Sequence, residues 1–225
     1  MTPAFHHVDT WIFDLDNTLY PAHHNLFAQI DERMRRFIER LLRVGSEEAR
    51  RIQKDYYVAY GTTLAGLMAL HDLDPAEFLI DVHDIDVSGL RPDPKLAAGV
   101  ARLRGDKVIF TNGSRGHAEN VLRQLGLTEH FSEIFDIESV NFIPKPHRPS
   151  YEEMVARSGL APTRAAMVED IARNLIAPHE MGMTTVWVRS GVGGAARHER
   201  LSHEGADGPH VHHATDDLAT FLHGI

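Results

Sequence analysis

The sequence predicts a doubly wound, parallel-sheet α/β core carrying an inserted α-helical module. Three observations predict it. Short apolar runs rich in β-branched and aromatic residues recur along the chain, and each stops abruptly at polar residues. Helix-like segments lie between most of these runs, an alternation that buries a parallel sheet on both faces. One interval, of about 90 residues between the first two strong runs, is far too long for a plain crossover or a structureless loop.

Taken in order, Thr10-Trp11-Ile12-Phe13 is the first strand and ends at Asp14-Leu15-Asp16. Within the long interval Phe27, Ile30, Met34, Phe37 and Leu41 fall at steps of three and four, as one face of an amphipathic helix does. Ile52, Tyr56, Tyr60, Leu64 and Leu67 continue in the same manner, and Pro75 opens another short helix at its first-turn position. The helical module is expected over residues 20–88, leaving residues 1–19 and 89–225 for the α/β core. The chain returns to that core near Arg91-Pro92-Asp93-Pro94, where two prolines exclude a helix interior.

Val108-Ile109-Phe110 is the next strand and stops at Thr111-Asn112-Gly113, and His117 to Leu125 is a helix halted by Gly126. Ile134-Phe135-Asp136-Ile137 is a weaker strand, followed by a helix from Ser150 to Ser158 that ends at Gly159. Ala165 to Val168 forms a strand that stops at Glu169-Asp170, and a helix is expected from Ile171 to Met181, before Gly182. Thr184 to Val188 is the last strong strand. Beyond it, Gly191, Gly193, Gly194, Gly205, Gly208 and the His-rich stretch His198 to His213 read as a solvated loop, the His spacing being too irregular for a metal site.

Composition narrows the classes of function. The 225 residues, 43% hydrophobic and 24% charged, match a globular protein rather than a disordered or fibrous one. Lys and Arg number 23 against 32 Asp and Glu, and the net charge of -9 repels phosphate backbones, so nucleic acid is not an expected partner. The absence of Cys excludes disulfides, thiolate metal sites and Cys nucleophiles. The N-terminus lacks a secretory pattern and no apolar run is long enough for a membrane span, so a cytoplasmic protein is expected.

Ligands bind open parallel sheets outside the carboxyl ends of the strands. That rule brings Asp14 and Asp16, Thr111, and Glu169 and Asp170 to one rim, with Lys145 following the weak strand in Ile143-Pro144-Lys145-Pro146. Clustered carboxylates without His or Cys suit a hard cation such as Mg²⁺, which takes oxygen donors and keeps positions for water and phosphate. The Thr111 hydroxyl and Lys145 ammonium suit phosphate oxygens, and Thr111-Asn112-Gly113-Ser114 leads into a helix N-terminus, a ready anion site. An Asp beside metal and phosphate can itself attack phosphorus. Each element alone has a plainer explanation: Thr-Asn-Gly as a turn and helix cap, Lys145 as a loop lysine, Glu169-Asp170 as a helix start. Their joint order, each at the end of its own strand, favours a functional site.

These residues resemble the motifs of the haloacid dehalogenase superfamily of phosphohydrolases. Phe13-Asp14-Leu15-Asp16-Asn17-Thr18-Leu19-Tyr20 is similar to its first motif, Phe110-Thr111-Asn112-Gly113 to its second, Lys145-Pro146 to its third and Glu169-Asp170-Ile171-Ala172-Arg173-Asn174 to its fourth. The resemblance runs from about Trp11 to Arg189 and implies a Rossmann-like core, with the helical module as an α-helical cap. Leu19-Tyr20-Pro21, His117-Ala118 and Lys145-Pro146-His147 look like the pyrimidine 5'-nucleotidase branch.

The resemblance implies that Asp14 is the nucleophile and a Mg²⁺ ligand. It implies that Asp16 protonates the leaving alcohol and activates water, its backbone carbonyl on the metal. Thr111 and the Asn112 backbone N–H would hold the phosphoryl group, with Lys145 paired to phosphate and to Asp14. Asp170 would ligate Mg²⁺, and Glu169 and Asn174 would act around it. The expectation is a Mg²⁺-dependent phosphomonoesterase, a monomer or homodimer without membrane or nucleic-acid partners. Its substrate would be a small phosphorylated metabolite, with a pyrimidine nucleoside monophosphate as first choice. A sugar-phosphate phosphatase, a phosphomutase, a haloacid dehalogenase and a non-catalytic protein of the same fold are the alternatives. Asp16 and Glu169-Asp170 count against the dehalogenase, which needs neither a metal nor an acid at that place. In the module, Tyr20, His23, His24, Tyr56, Tyr57 and Tyr60 are available to a substrate, although helical spacing suits the tyrosines to packing.

Overall fold

The computed structural model describes residues 3–24, 26–189 and 203–225. Six strands, β1 (Thr10–Phe13), β2 (Asp106–Phe110), β3 (Glu133–Phe135), β4 (Ala165–Glu169), β5 (Thr184–Val188) and β6 (His213–Thr215), form one sheet in the order β3-β2-β1-β4-β5-β6. Every neighbouring pair is parallel. The order reverses direction between β1 and β4, and such a switch point opens a crevice at the carboxyl ends of the central strands.

The β1 run is apolar throughout because both of its faces are covered. Trp11 and Phe13 point into a cluster with Leu96 and Val100 of α5 (Pro94–Arg102), Val121 and Leu122 of α6 (Arg115–Leu125) and Leu218 and Leu222 of α9 (Leu218–Gly224). Ile12, between them, points to the other face, where it joins Tyr151 and Met154 of α7 (Arg148–Ser158) and Ala177 of α8 (Ile176–Glu180). Each fully buried large side chain contributes roughly 1.5–3 kcal/mol, so this two-faced burial dominates the stability of the core.

The expected helical module contains α1 (Leu26–Leu42), α2 (Ser46–Tyr60), α3 (Thr63–His71) and α4 (Pro75–Val82). Pro75 and Pro94 each occupy the first turn of a helix, where a missing N–H costs nothing, behind the capping carboxylates of Asp74 and Asp93. α6 and α7 stop at Gly126 and Gly159, as the sequence indicates.

Four expectations need correction. The periodicity from Ile52 to Leu67 is not one helix: the chain breaks at Gly61, whose φ of 85° suits a residue without Cβ, and restarts behind the Thr62 cap. Phe27 and Leu41 are 39% and 37% exposed, while Leu26 and Ile38 are buried with Ile30 and Phe37, so the buried face of α1 takes in Leu26 and Ile38 and leaves out both expected end positions. The helix expected from Ile171 to Met181 is a short 3₁₀ turn, Ala172–Leu175, followed by α8. Pro178 explains this division. In a continuous helix it would leave the Asn174 carbonyl without a donor, and the Tyr151 hydroxyl donates to that carbonyl at 2.6 Å instead. Finally, His213 does not close a loop but begins β6, which pairs with β5. Gly191, Gly193, Gly194 and His198 lie outside the described residues.

Candidate active site

The crevice between β1 and β4 is stitched by Asp14, whose N–H donates to the Val168 carbonyl at 2.9 Å. Beyond Asp14 the chain doubles back through Asn17, at a φ of 63° that Asn tolerates better than most residues. The turn lays two side chains over the two aspartates. Thr18 Oγ1 donates to Asp14 Oδ2 at 2.8 Å, and the Tyr20 hydroxyl donates to Asp16 Oδ1 at 2.5 Å.

Lys145 is 3% exposed and spends all three of its N–H donors. Nζ donates to Asp14 Oδ1 at 2.7 Å, to Glu169 Oε2 at 2.7 Å and to the Phe110 carbonyl at 2.9 Å. Its backbone is gripped by Asn112, which accepts from Lys145 N–H at 2.8 Å and donates to the Lys145 carbonyl at 3.2 Å. The Asn112 side chain therefore positions the lysine. Thr111 is 1% exposed, and its Oγ1 accepts from Gly113 N–H at 3.0 Å, just before α6, whose start is capped by Ser114.

Carboxylate oxygens of Asp14, Glu169 and Asp170 lie within 4.8 Å of one another, all three residues being buried. Among the described residues this cluster holds three carboxylates and the ammonium of Lys145, which bonds Asp14 and Glu169, a formal excess of two negative charges when every carboxyl is ionised. Burial, with the Glu169 charge added and the Lys145 charge opposing, pushes Asp14 up to about 7. Glu169 is pushed up to about 7 by burial and the Asp170 charge, again against Lys145. Burial acts to neutralise Lys145, yet the Asp14 and Glu169 charges outweigh it and raise its pKa. An all-oxygen, doubly negative, buried donor set fits a hard divalent cation such as Mg²⁺. Ile171 N–H donates to Glu169 Oε1 at 3.3 Å, Trp187 Nε1 donates to the Asp170 carbonyl at 2.9 Å, and Asn174 is buried beside them.

Asp16 is engaged elsewhere: its Oδ1 also meets His117 Nε2 at 2.8 Å. Burial opposes its ionisation, but His117 and the Tyr20 hydroxyl outweigh burial and hold the carboxyl below its ordinary range. His83, which follows α4, stacks on His117 with centroids 4.7 Å apart and shares a 2.9 Å hydrogen bond with Ser114 Oγ. Burial and the neighbouring His117 push His83 down to about 4.

All eight residues singled out from the sequence, Asp14, Asp16, Thr111, Asn112, Lys145, Glu169, Asp170 and Asn174, line one cavity of about 250 Å³. Its opposite wall comes from the helical module: Ile30 and Met34 of α1, Leu64 of α3, and Phe78, Leu79 and Val82 of α4. Gln53 Nε2 donates to Asp31 Oδ1 at 3.1 Å in that same wall. Tyr57 also lines it and accepts from Arg173 at 2.9 Å, joining the module to the core. Tyr56 instead bonds His71 at 2.6 Å and meets Tyr60 edge-on, the packing that helical spacing suggests. His23 and His24 stack on each other.

Gln53, Asp31 and His83 carry no local signal, being ordinary helix and loop residues until the module folds over the rim. Tyr20 was legible in principle, since it stands four residues after Asp16 just as Thr18 stands four after Asp14.

Residues 8–182 match the haloacid dehalogenase-like hydrolase family. Among curated proteins, the chain is similar to Phosphate metabolism protein 8 of Saccharomyces cerevisiae, 28% identical over 77% of this chain and 59% of that protein. It thus spans well under two thirds of the yeast relative's length. It is also similar to Glyceraldehyde 3-phosphate phosphatase of Methanocaldococcus jannaschii, 28% identical over 80% of this chain and 84% of that one. Among solved structures, a HAD phosphatase from Thermococcus onnurineus superposes with a TM-score of 0.61 at 18% identity, covering 95% of this chain and 96% of the other. An L-2-haloacid dehalogenase from Xanthobacter autotrophicus does so with a TM-score of 0.56 at 16% identity, covering 96% and 97%. At these identities the structural likenesses speak for the fold alone.

Proposed function

The chain belongs to the haloacid dehalogenase-like hydrolase family, and from that premise we propose that it is a Mg²⁺-dependent phosphomonoesterase working through an aspartyl-phosphate. The observation that carries this reading is the Lys145 node. A buried ammonium bonded to Asp14 and Glu169 sits in one cavity with Thr111, Asp16 and Asp170. Both curated relatives bear names tied to phosphate chemistry, one of them a phosphatase.

In this reading Asp14, Asp170 and the backbone carbonyl of Asp16 would hold Mg²⁺, with Glu169 and Asn174 around them. Bound there, the ion supplies positive charge to phosphoryl oxygens as negative charge builds up. Thr111 Oγ1 and the Asn112 N–H hold the phosphoryl group, and Lys145 Nζ, with its three N–H groups on Asp14, Glu169 and the Phe110 carbonyl, sets its positive charge beside it. The Asp14 carboxylate attacks phosphorus, the ester P–O bond breaks, and Asp16 passes its proton to the departing oxygen. Asp16 then takes a proton from the water that hydrolyses the aspartyl-phosphate. A dehalogenase would have no use for the charge excess at Glu169 and Asp170.

The cavity is small, below the roughly 300–1,000 Å³ usual for ligand pockets, which suits a compact phosphate monoester better than a macromolecular one. A pyrimidine nucleoside 5'-monophosphate is the first substrate class. A triose phosphate is the second, favoured by the name of the Methanocaldococcus jannaschii relative. The test is to assay purified protein with Mg²⁺ on UMP, CMP, AMP, GMP, glyceraldehyde 3-phosphate and 4-nitrophenyl phosphate, with and without chelator. UMP or CMP is expected to exceed AMP and GMP in kcat/KM, with activity lost in chelator. Equal rates on the four nucleotides, or glyceraldehyde 3-phosphate ahead by tenfold, would reject the nucleotidase reading. Full activity in chelator would reject the metal.

A further inference from the structure

Among the described residues, the carboxylate of Asp16 is held from one side only. Both donors that reach it land on the same atom, Oδ1: the Tyr20 hydroxyl at 2.5 Å and His117 Nε2 at 2.8 Å. Oδ1 accepts from the Tyr20 hydroxyl and, in the tautomer with a proton on Nε2, from His117, whether or not Oδ2 carries a proton. His117 is itself locked. It is 2% exposed, its ring lies nearly parallel to that of His83 at 18°, and His83 is tied to Ser114 Oγ at 2.9 Å. Gly113 completes the clamp, since a Cβ there would stand 3.2 Å from His117 Cδ2 and 3.7 Å from His83 Nε2.

We propose that Tyr20 and His117 are positioning residues which occupy Oδ1 of Asp16 and so reserve Oδ2 as the atom that gives and takes the catalytic proton. The physical reason is competition for lone pairs. A proton on Oδ1 would have to displace one of two short hydrogen bonds, whereas no hydrogen bond among the described residues engages Oδ2. Without the clamp the carboxyl turns freely about its broad terminal torsion and presents either oxygen. As the ester P–O bond breaks, the leaving oxygen takes the Oδ2 proton, and in the second half the attacking water returns one to Oδ2. Because His83 follows α4, the helical module also fixes the ring that fixes the acid. The proposal rests on the phosphomonoesterase reading.

A general acid matters most when the leaving group is poor. The experiment compares kcat/KM, which reports transfer to Asp14, on two probes of nearly equal size. Phenyl phosphate releases a phenol as weakly acidic as a tyrosine side chain, and 4-nitrophenyl phosphate releases a phenolate that needs no proton. Tyr20→Phe, which removes one hydroxyl, and His117→Ala should each lower phenyl phosphate turnover by about 10–10²-fold and 4-nitrophenyl phosphate turnover by several-fold less. His117→Gln, which keeps an N–H donor, should restore part of the difference. Equal losses on both probes in Tyr20→Phe and His117→Ala would overturn the positioning role, as would a failure of His117→Gln to recover any of it. Failure of the wild-type protein to hydrolyse either probe would instead overturn the phosphatase reading beneath it.

Discussion

The two walls of the cavity are built on opposite physical principles. The core wall is polar and fully committed: Asp14, Lys145 and Glu169 are nearly inaccessible to solvent, and each charge is bonded to another or to the backbone. The module wall is mainly apolar, with Gln53 and Asp31 as a bonded polar pair among Ile30, Met34, Phe78 and Val82. Charges buried this deeply must be paired, and their geometry has little room to vary. Apolar surface is non-directional and accepts many shapes. On the proposed reading the core wall would define the reaction and the module wall what may undergo it.

Substitutions that separate these two tasks test the contrast. The largest effect should come from Asp14→Asn, which is nearly isosteric and removes the proposed nucleophile. It should abolish turnover of every substrate alike, and mass spectrometry after acid quench should find no phosphorylated residue. Phosphate trapped anywhere but Asp14 in the wild-type protein would break the assignment.

Lys145→Met ranks next. It leaves Asp14 and Glu169 buried against each other without a cation, which costs about 3–5 kcal/mol and should appear as a lower denaturation midpoint in chelator. Activity on all substrates should fall with it. Mg²⁺ should recover part of the stability, since a ligand that binds only the folded state stabilises it by mass action. A midpoint unchanged in chelator would show that the buried node is not under the electrostatic tension described.

The smallest effect should come from the module wall. Gln53→Leu removes a hydrogen-bonding group worth about 0.5–1.5 kcal/mol, so the preference between UMP and 4-nitrophenyl phosphate should shift by about 3–10-fold in kcat/KM. A uniform loss on both substrates would mean that the wall acts on the chemistry, and the division between the two walls would fail.

The legibility of the molecule divides in nearly the same place. β1, β2, β4 and β5 could be read because the part of a strand buried on both faces is mainly apolar, a pattern local to three to five residues. Asp14, Thr111 and Glu169 with Asp170 could be read because they stand where such runs end. β6 could not: His213-Ala214-Thr215 is three residues at the sheet edge, and only pairing with β5 makes it a strand. The division near Gly61 was hidden because apolar spacing of three and four continues across it, so periodicity saw one helix where the backbone turns.

The sequence by itself determined the α/β core, the helical module and the set of charged groups at the rim, because each follows from short-range pattern and from one topological rule. Only the tertiary structure decided which oxygen of Asp16 is bonded, that His83 and His117 stand behind it, and that Gln53 and Asp31 line the same cavity of about 250 Å³ as Lys145. Those contacts join residues as much as 101 positions apart in the chain. Their geometry depends on how the module closes over the sheet, and no local propensity encodes that distance.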